Sequence, residues 1–111
     1  MKGLPPSLKS KKRYIAFELI SENSSISIES FTKVLVNNML SLFGETSTAN
    51  CGINLEIFNG KRGIIRCSRD AVDKVIIALT LINSIGDVRV VPLTIGVSGT
   101  IKKCKKKYLE V

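Results

Sequence analysis

Ile53-Asn54-Leu55-Glu56-Ile57-Phe58-Asn59-Gly60-Lys61-Arg62-Gly63-Ile64-Ile65-Arg66-Cys67-Ser68-Arg69-Asp70 contains two strands, the turn between them and the start of a helix. From about Cys51 to Phe58, Ile53, Leu55 and Ile57 alternate with Asn54, Glu56 and Phe58, the period-two pattern of a half-buried strand. Asn59 to Gly63 places two glycines around two bases and predicts a hairpin loop. Ile64 to Ser68 is the return strand, with Ile65 and Cys67 inward and Ile64, Arg66 and Ser68 outward. Asp70 is then placed to cap a strongly apolar helix, Ala71 to about Ile85, that Gly86 would stop.

Upstream, Arg13 to Ile20 alternates with Ile15, Phe17 and Leu19 on one side, a further strand. Ser27 is a plausible N-cap for a helix from Ile28 to about Phe43, whose Ile28, Phe31, Leu35, Met39 and Leu42 share a face and which Gly44 would end. Downstream, Val88 to about Val97 makes a fourth strand, and a last helix begins near Ile101. The order β-α-β-β-α-β defines an α+β fold, the ferredoxin-like (RRM-like) α/β sandwich, with an antiparallel sheet ordered 4-1-3-2 and a basic C-terminal helix added. The expected division is a basic extended arm at 1–12, marked by Leu4-Pro5-Pro6-Ser7, the sandwich at 13–99 and the basic helix at 100–111.

A chain of 111 residues is one domain's worth, and its charge is unevenly spread. Of the net +8, residues 1–13 carry five bases and no acid, and residues 100–111 carry five lysines against Glu110. Residues 14–99 hold seven bases and eight acids. A near-neutral core with two basic ends suits a polyanion, nucleic acid ahead of an anionic membrane. In the 4-1-3-2 sheet both ends leave the same edge, joined by Arg69, while Lys61 and Arg62 lie at the opposite one. In the last helix Ile101, Cys104 and Tyr108 form a narrow apolar stripe that can dock on the open sheet face over Tyr14, Ala16, Ile20 and Ile64 and hold its lysines outward. On the second long helix Ile77 and Leu81 project away from Val72, Val75, Ile76 and Leu79, an expected protein-interface face.

Several chemistries are excluded. With no histidine there is no catalytic triad, no cysteine–histidine dyad and no imidazole base. Cys51, Cys67 and Cys104 contain no CxxC pair, which predicts reduced thiols in a cytoplasmic protein and no zinc site. Asp70 and Asp73 have the spacing of a capping pair, not of a metal site, and Gly60 to Gly63 is too short for a phosphate loop. Val75 to Ile82, the longest apolar stretch, is too short to span a bilayer. Strand three lacks the aromatics on which RNA-recognition modules stack bases, so contacts to phosphate and shape are expected. Neither a catalytic nor a metal-binding residue is assigned.

Three strings in order, Leu4-Pro5-Pro6-Ser7-Leu8 with Lys11-Lys12-Arg13-Tyr14-Ile15-Ala16-Phe17, then Gly63-Ile64-Ile65-Arg66-Cys67-Ser68-Arg69-Asp70, then Gly96-Val97-Ser98-Gly99-Thr100-Ile101-Lys102-Lys103, resemble the Pop-five/Rpp-fourteen type of ribonuclease P subunit, the family of archaeal protein component 2. The resemblance extends from residue 4 to about 109. It implies a non-catalytic subunit of the ribonucleoprotein endonuclease that removes the 5′ leader of precursor tRNA, with magnesium (Mg2+) used by the RNA and no cofactor bound by this chain. Implied partners are ribonuclease P RNA, the TIM-barrel protein component 3 and the other protein subunits, in an assembly that can be two-plus-two, with precursor tRNA met indirectly. By resemblance and charge the candidate RNA contacts are Lys11, Lys12, Arg13, Arg66, Arg69, Lys102, Lys103, Lys105 and Lys106. The alternatives are an assembly-only or general RNA-binding protein of another ribonucleoprotein, and a protein-only nuclease. Relatives that run on past Val111 would add a basic tail, and the hairpin lacks the aromatic expected before Gly63.

Overall fold

A computed structural model describes residues 11–22 and 26–109. Residues 1–10 of the expected arm and residues 110–111 of the expected C-terminal helix lie outside the described residues. The strands are β1 (Lys12–Ser21), β2 (Asn54–Phe58), β3 (Arg62–Ser68), β4 (Ser84–Ile85) and β5 (Val88–Ser98). The helices are α1 (Ile28–Asn50), α2 (Val72–Thr80) and α3 (Ile101–Cys104), the last continuing as a π-helical turn over Lys105–Leu109. The antiparallel sheet has the order β2-β3-β1-β5-β4. It is the expected 4-1-3-2 arrangement, with the short β4 added at one edge.

Central strand β1 is buried on both sides. Ile15, Phe17 and Leu19 join the main core with Phe31, Leu35 and Met39 of α1 and Val75, Ala78 and Leu79 of α2. Phe17 stacks on Phe31 at 4.9 Å between ring centroids, and Phe31 on Phe58 at 5.1 Å. Asn38 Nδ2 donates to the Ala78 carbonyl at 3.1 Å and ties the two helices together. On the opposite face Ala16, Ile64 and Cys104 form a second buried cluster, flanked by Tyr14, Ile57, Ile101 and Tyr108. The C-terminal stripe therefore docks as its spacing predicts. Its cover stops short of Ile20, which stays 49% exposed beside Val91, its partner on β5.

Four local expectations need correction. Gly44, at φ 83°, breaks α1, yet the chain resumes helical form to Asn50 instead of leaving it. Phe43, four residues after Met39, continues that line half-buried against the core, and Ile28 and Leu42 are exposed. Asp70 is not the cap of α2: a 3-10 turn, Arg69–Ala71, intervenes, and the Asp70 carboxylate pairs with Arg69 at 3.7 Å. Gly86, at φ 62°, does not stop a long helix. With Asp87 it forms the two-residue loop between Ile85 and Val88, and a positive φ at the first loop position alone is the type II′ hairpin pattern. At the other hairpin Arg62 already belongs to β3, and Asn59 Oδ1 closes the turn by accepting from the Lys61 and Arg62 amides at 2.9 and 2.7 Å.

Two glycines are fixed by close approach. A Cβ at Gly63 would lie 2.6 Å from the Ile57 carbonyl oxygen and 2.8 Å from the Phe17 ring, and one at Gly96 would overlap the Tyr108 ring. Gly63→Ala should lower global stability by about 1–3 kcal/mol, measured by denaturant unfolding. Gly96→Ala should instead release α3: amides of residues 104–108 lose hydrogen-exchange protection while those of β1 and β3 keep theirs. Equal loss of protection in both regions would show that α3 and the sheet open as one unit.

Candidate nucleic-acid interface

Antiparallel pairing brings the start of β1 and the ends of β3 and β5 to one edge: Lys12 lies opposite Ser68, and Tyr14 lies opposite both Arg66 and Ser98. The Arg69 amide donates to the Lys11 carbonyl at 2.7 Å, placing these two bases on neighbouring backbone. From the end of β5, Thr100 caps α3 by accepting from the Lys103 amide at 3.2 Å. Lys11, Lys12, Lys102, Lys103, Lys105 and Lys106 are all exposed around this edge, and Arg13 is half-buried with its Nη1 donating to the Lys12 carbonyl at 3.0 Å.

The cations differ in how far they are already neutralised. Arg66 sits 3.9 Å from the Glu56 carboxylate, and its buried Nε has no hydrogen-bond partner. Among the described residues Arg69 pairs only with exposed Asp70, an ion pair worth little in water. The lysines of residues 11–12 and 102–107 have no ion-pair partner among the described residues. At the opposite end of β1, Arg62 pairs with Glu18 at 3.4 Å, so that hairpin is the less cationic edge.

Lys103, Lys106 and Lys107 share a cleft of about 450 Å³ with Ser98 and Gly99. Lys107 is absent from the sequence-derived contacts, although its four-residue spacing from Lys103 puts both on one helical face. Its ammonium stands 5.6 Å over the Tyr108 ring, whose position is set by docking over Gly96. A larger cavity of about 570 Å³ lies between the second segment of α1 and α2. There Lys74 Nζ donates to Ser47 Oγ at 2.8 Å and stands 5.6 Å over Phe43, a strut between helices. Ile77 of α2 and Leu81, its C-terminal cap, are 48% and 55% exposed, as the helical spacing predicts.

The three thiols are free and buried. Burial pushes all three up, and Cys67 reaches about 11, with the nearby Cys51 adding to the rise and Lys12 opposing it. Such thiols stay protonated at neutral pH and are poor nucleophiles. Among the described residues no group of acidic, cysteine or histidine side chains could hold a metal ion, and no helix is long and apolar enough to cross a membrane.

The fold and this edge define a class: a ferredoxin-like sandwich whose second sheet face is closed by a lysine-rich helix. Residues 13–109 match the Rpp14/Pop5 family. Over its full length the chain is 61% identical to ribonuclease P protein component 2 of Archaeoglobus fulgidus, covering all of that protein. It is 43% identical to the protein of the same name from Pyrococcus furiosus over 97% of this chain and 91% of the relative. It is 39% identical to that from Methanosarcina mazei, over 99% and 94%. The fold is also that of a chain in the cryo-EM structure of yeast ribonuclease MRP, with a TM-score of 0.67 at 13% identity, covering 82% of this chain and 76% of that one. The chain belongs to the Rpp14/Pop5 family.

The raised Cys67 thiol predicts a pH effect. An unfolded thiol ionises near its ordinary value of 9.0 and the folded one near 11. Stability is therefore full below pH 9 and falls as the pH rises toward 11, by roughly 3 kcal/mol at most from this group. Denaturant unfolding from pH 8 to 11 should show a smaller alkaline loss in Cys67→Ala than in the parent chain. Parallel pH profiles would refute the assignment.

Proposed function

We propose that this chain is a protein subunit of ribonuclease P, the ribonucleoprotein that removes the 5′ leader of precursor tRNA, and that it contributes binding rather than bond cleavage. The observation that supports this reading is the row of lysines, without an ion-pair partner among the described residues, that a docked helix holds on one edge, in a chain 61% identical to a ribonuclease P protein. Lysines beside closely packed RNA phosphates lower their mutual repulsion and release counterions. The chain then reduces the Mg2+ that the RNA needs to fold and to capture substrate, while the RNA holds the catalytic ions.

The exposed Ile77 and Leu81 support a second contact, to the TIM-barrel protein component 3, on the helical side of the sandwich and away from the docked α3. A pure assembly role would use that contact alone. Leu81→Asp separates the two: lost pairing with component 3 and unchanged RNA affinity indicate two independent surfaces.

The deciding experiment is single-turnover cleavage of precursor tRNA at low Mg2+, with ribonuclease P RNA alone, with component 3, and with component 3 plus this chain. Faster cleavage at the mature 5′ end only in the full set supports the subunit reading; no change on adding the chain overturns it. Replacing Lys102, Lys103, Lys105 and Lys106 by Ala should weaken RNA binding and flatten its log–log salt dependence by up to about 3, near 0.7–0.9 per phosphate lost. An unchanged slope would refute their role.

A further inference from the structure

Gly99 lines the lysine cleft and has no reason within the fold to be glycine. Its φ is not in the left-handed region, and a Cβ built on it meets nothing within 4 Å. Gly96, three residues earlier and within β5, is the internal contrast, because the Tyr108 ring occupies the space a side chain would need. A glycine that the protein itself leaves uncovered permits close approach of another molecule to its backbone.

The cleft's chemistry identifies what approaches. Its charged lining residues are Lys103, Lys106 and Lys107, with no carboxylate among the described residues that line it. Lys106 and Lys107 follow Lys103 by three and four residues and repel it on a helical surface, and none of the three has an ion-pair partner among the described residues. Docking through Ile101, Cys104 and Tyr108 holds their backbone in place and limits how far the helix can splay to relieve that repulsion. An anion relieves it instead. No aromatic face is among the described residues that line the cleft, so it is suited to a phosphate and not to a stacked base. Lys102 and Lys105 extend the positive surface beyond it, as a phosphodiester chain requires and an isolated small anion does not.

We propose that Gly99, Lys103, Lys106 and Lys107 form a clasp for one backbone phosphate of an RNA strand that passes directly over Gly99. The proposal rests on the RNA-binding reading above and adds to it a specific site, in which bare backbone matters as much as charge.

The test uses the full chain and the ribonuclease P RNA of Archaeoglobus fulgidus, with affinity measured across a salt series. Gly99→Val should bind about tenfold more weakly and lose about one phosphate from the salt slope, near 0.7–0.9, although no charge has been removed. Its circular dichroism and melting temperature should match the parent, and Gly99→Ala should act in the same direction but less. Lys107→Gln leaves the backbone untouched and should give a similar slope change. The double variant should then lose little more than either single one, because both disable the same contact. Parent-like binding by Gly99→Val, or strictly additive losses in the double variant, would overturn the clasp and leave a diffuse lysine comb. Absent or salt-independent binding by the parent chain would instead overturn the RNA-binding reading itself.

Discussion

Strand β1 lies in the middle of the sheet with Ile15, Phe17 and Leu19 on the side of α1 and α2, and Tyr14 and Ala16 on the other. Both sides must be taken out of water, yet both long helices pack on the first. The second side is closed by the only described element after β5, α3, which is also where the lysines are concentrated. Covering Ala16 and Ile64 therefore fixes the placement of five cations. A C-terminal segment of this composition has little to stabilise it alone: the helical stretch from Ile101 to Leu109 is too short to be stable in water, and neighbouring like charges cost a few tenths of a kcal/mol per pair. Burial of Cys104 and the packing of Ile101 and Tyr108 offset these costs.

The same docking explains why the sheet face cannot work as a base-stacking platform. Tyr14, the aromatic on β1 that faces that way, is packed into the second cluster, and β3 presents Ile64 and Arg66 there. What remains for a nucleic acid is the rim: bare backbone at Gly99, ammonium groups, and the bases at the start of β1. Contacts of this kind read phosphate position and duplex shape, with affinity set by counterion release. Arg66 differs from the lysines, since its pairing with Glu56 would have to be exchanged for a phosphate and the gain is smaller by that amount.

Much of this architecture was legible from local pattern. Alternation in residues 13–20 and 53–68 placed three strands and their inward faces, and the stripe Ile101, Cys104, Tyr108 placed the last helix on the sheet. Two of the failures share a cause. Gly44 and Gly86 were each read as the end of a helix, because glycine's positive φ terminates helices so often. The same φ also serves a kink followed by more helix at Gly44, and a type II′ loop at Gly86. Which use applies depends on whether the flanking residues find partners, as Ile85 and Val88 do with each other across the loop and Phe43 does against the core. The clasp was invisible for a related reason. Linear charge counting treats Lys102 to Lys107 as one run, whereas the docked geometry divides it into residues 103, 106 and 107 around a cleft and residues 102 and 105 outside.

The two surfaces proposed for partners lie on opposite layers of a thin molecule whose smallest extent is 19 Å. Ile77 and Leu81 belong to the layer of helices, and the lysine rim belongs to the layer of α3, with the sheet between them. A protein bound on the first layer and an RNA bound on the second would not compete for the same residues. Any energetic coupling between them would have to pass through β1, β3 and β5, which close-packed cores hold rigid on both sides. The expected assembly is therefore additive: the protein partner positions the sandwich, and the sandwich presents its cations to the RNA with little rearrangement of its own.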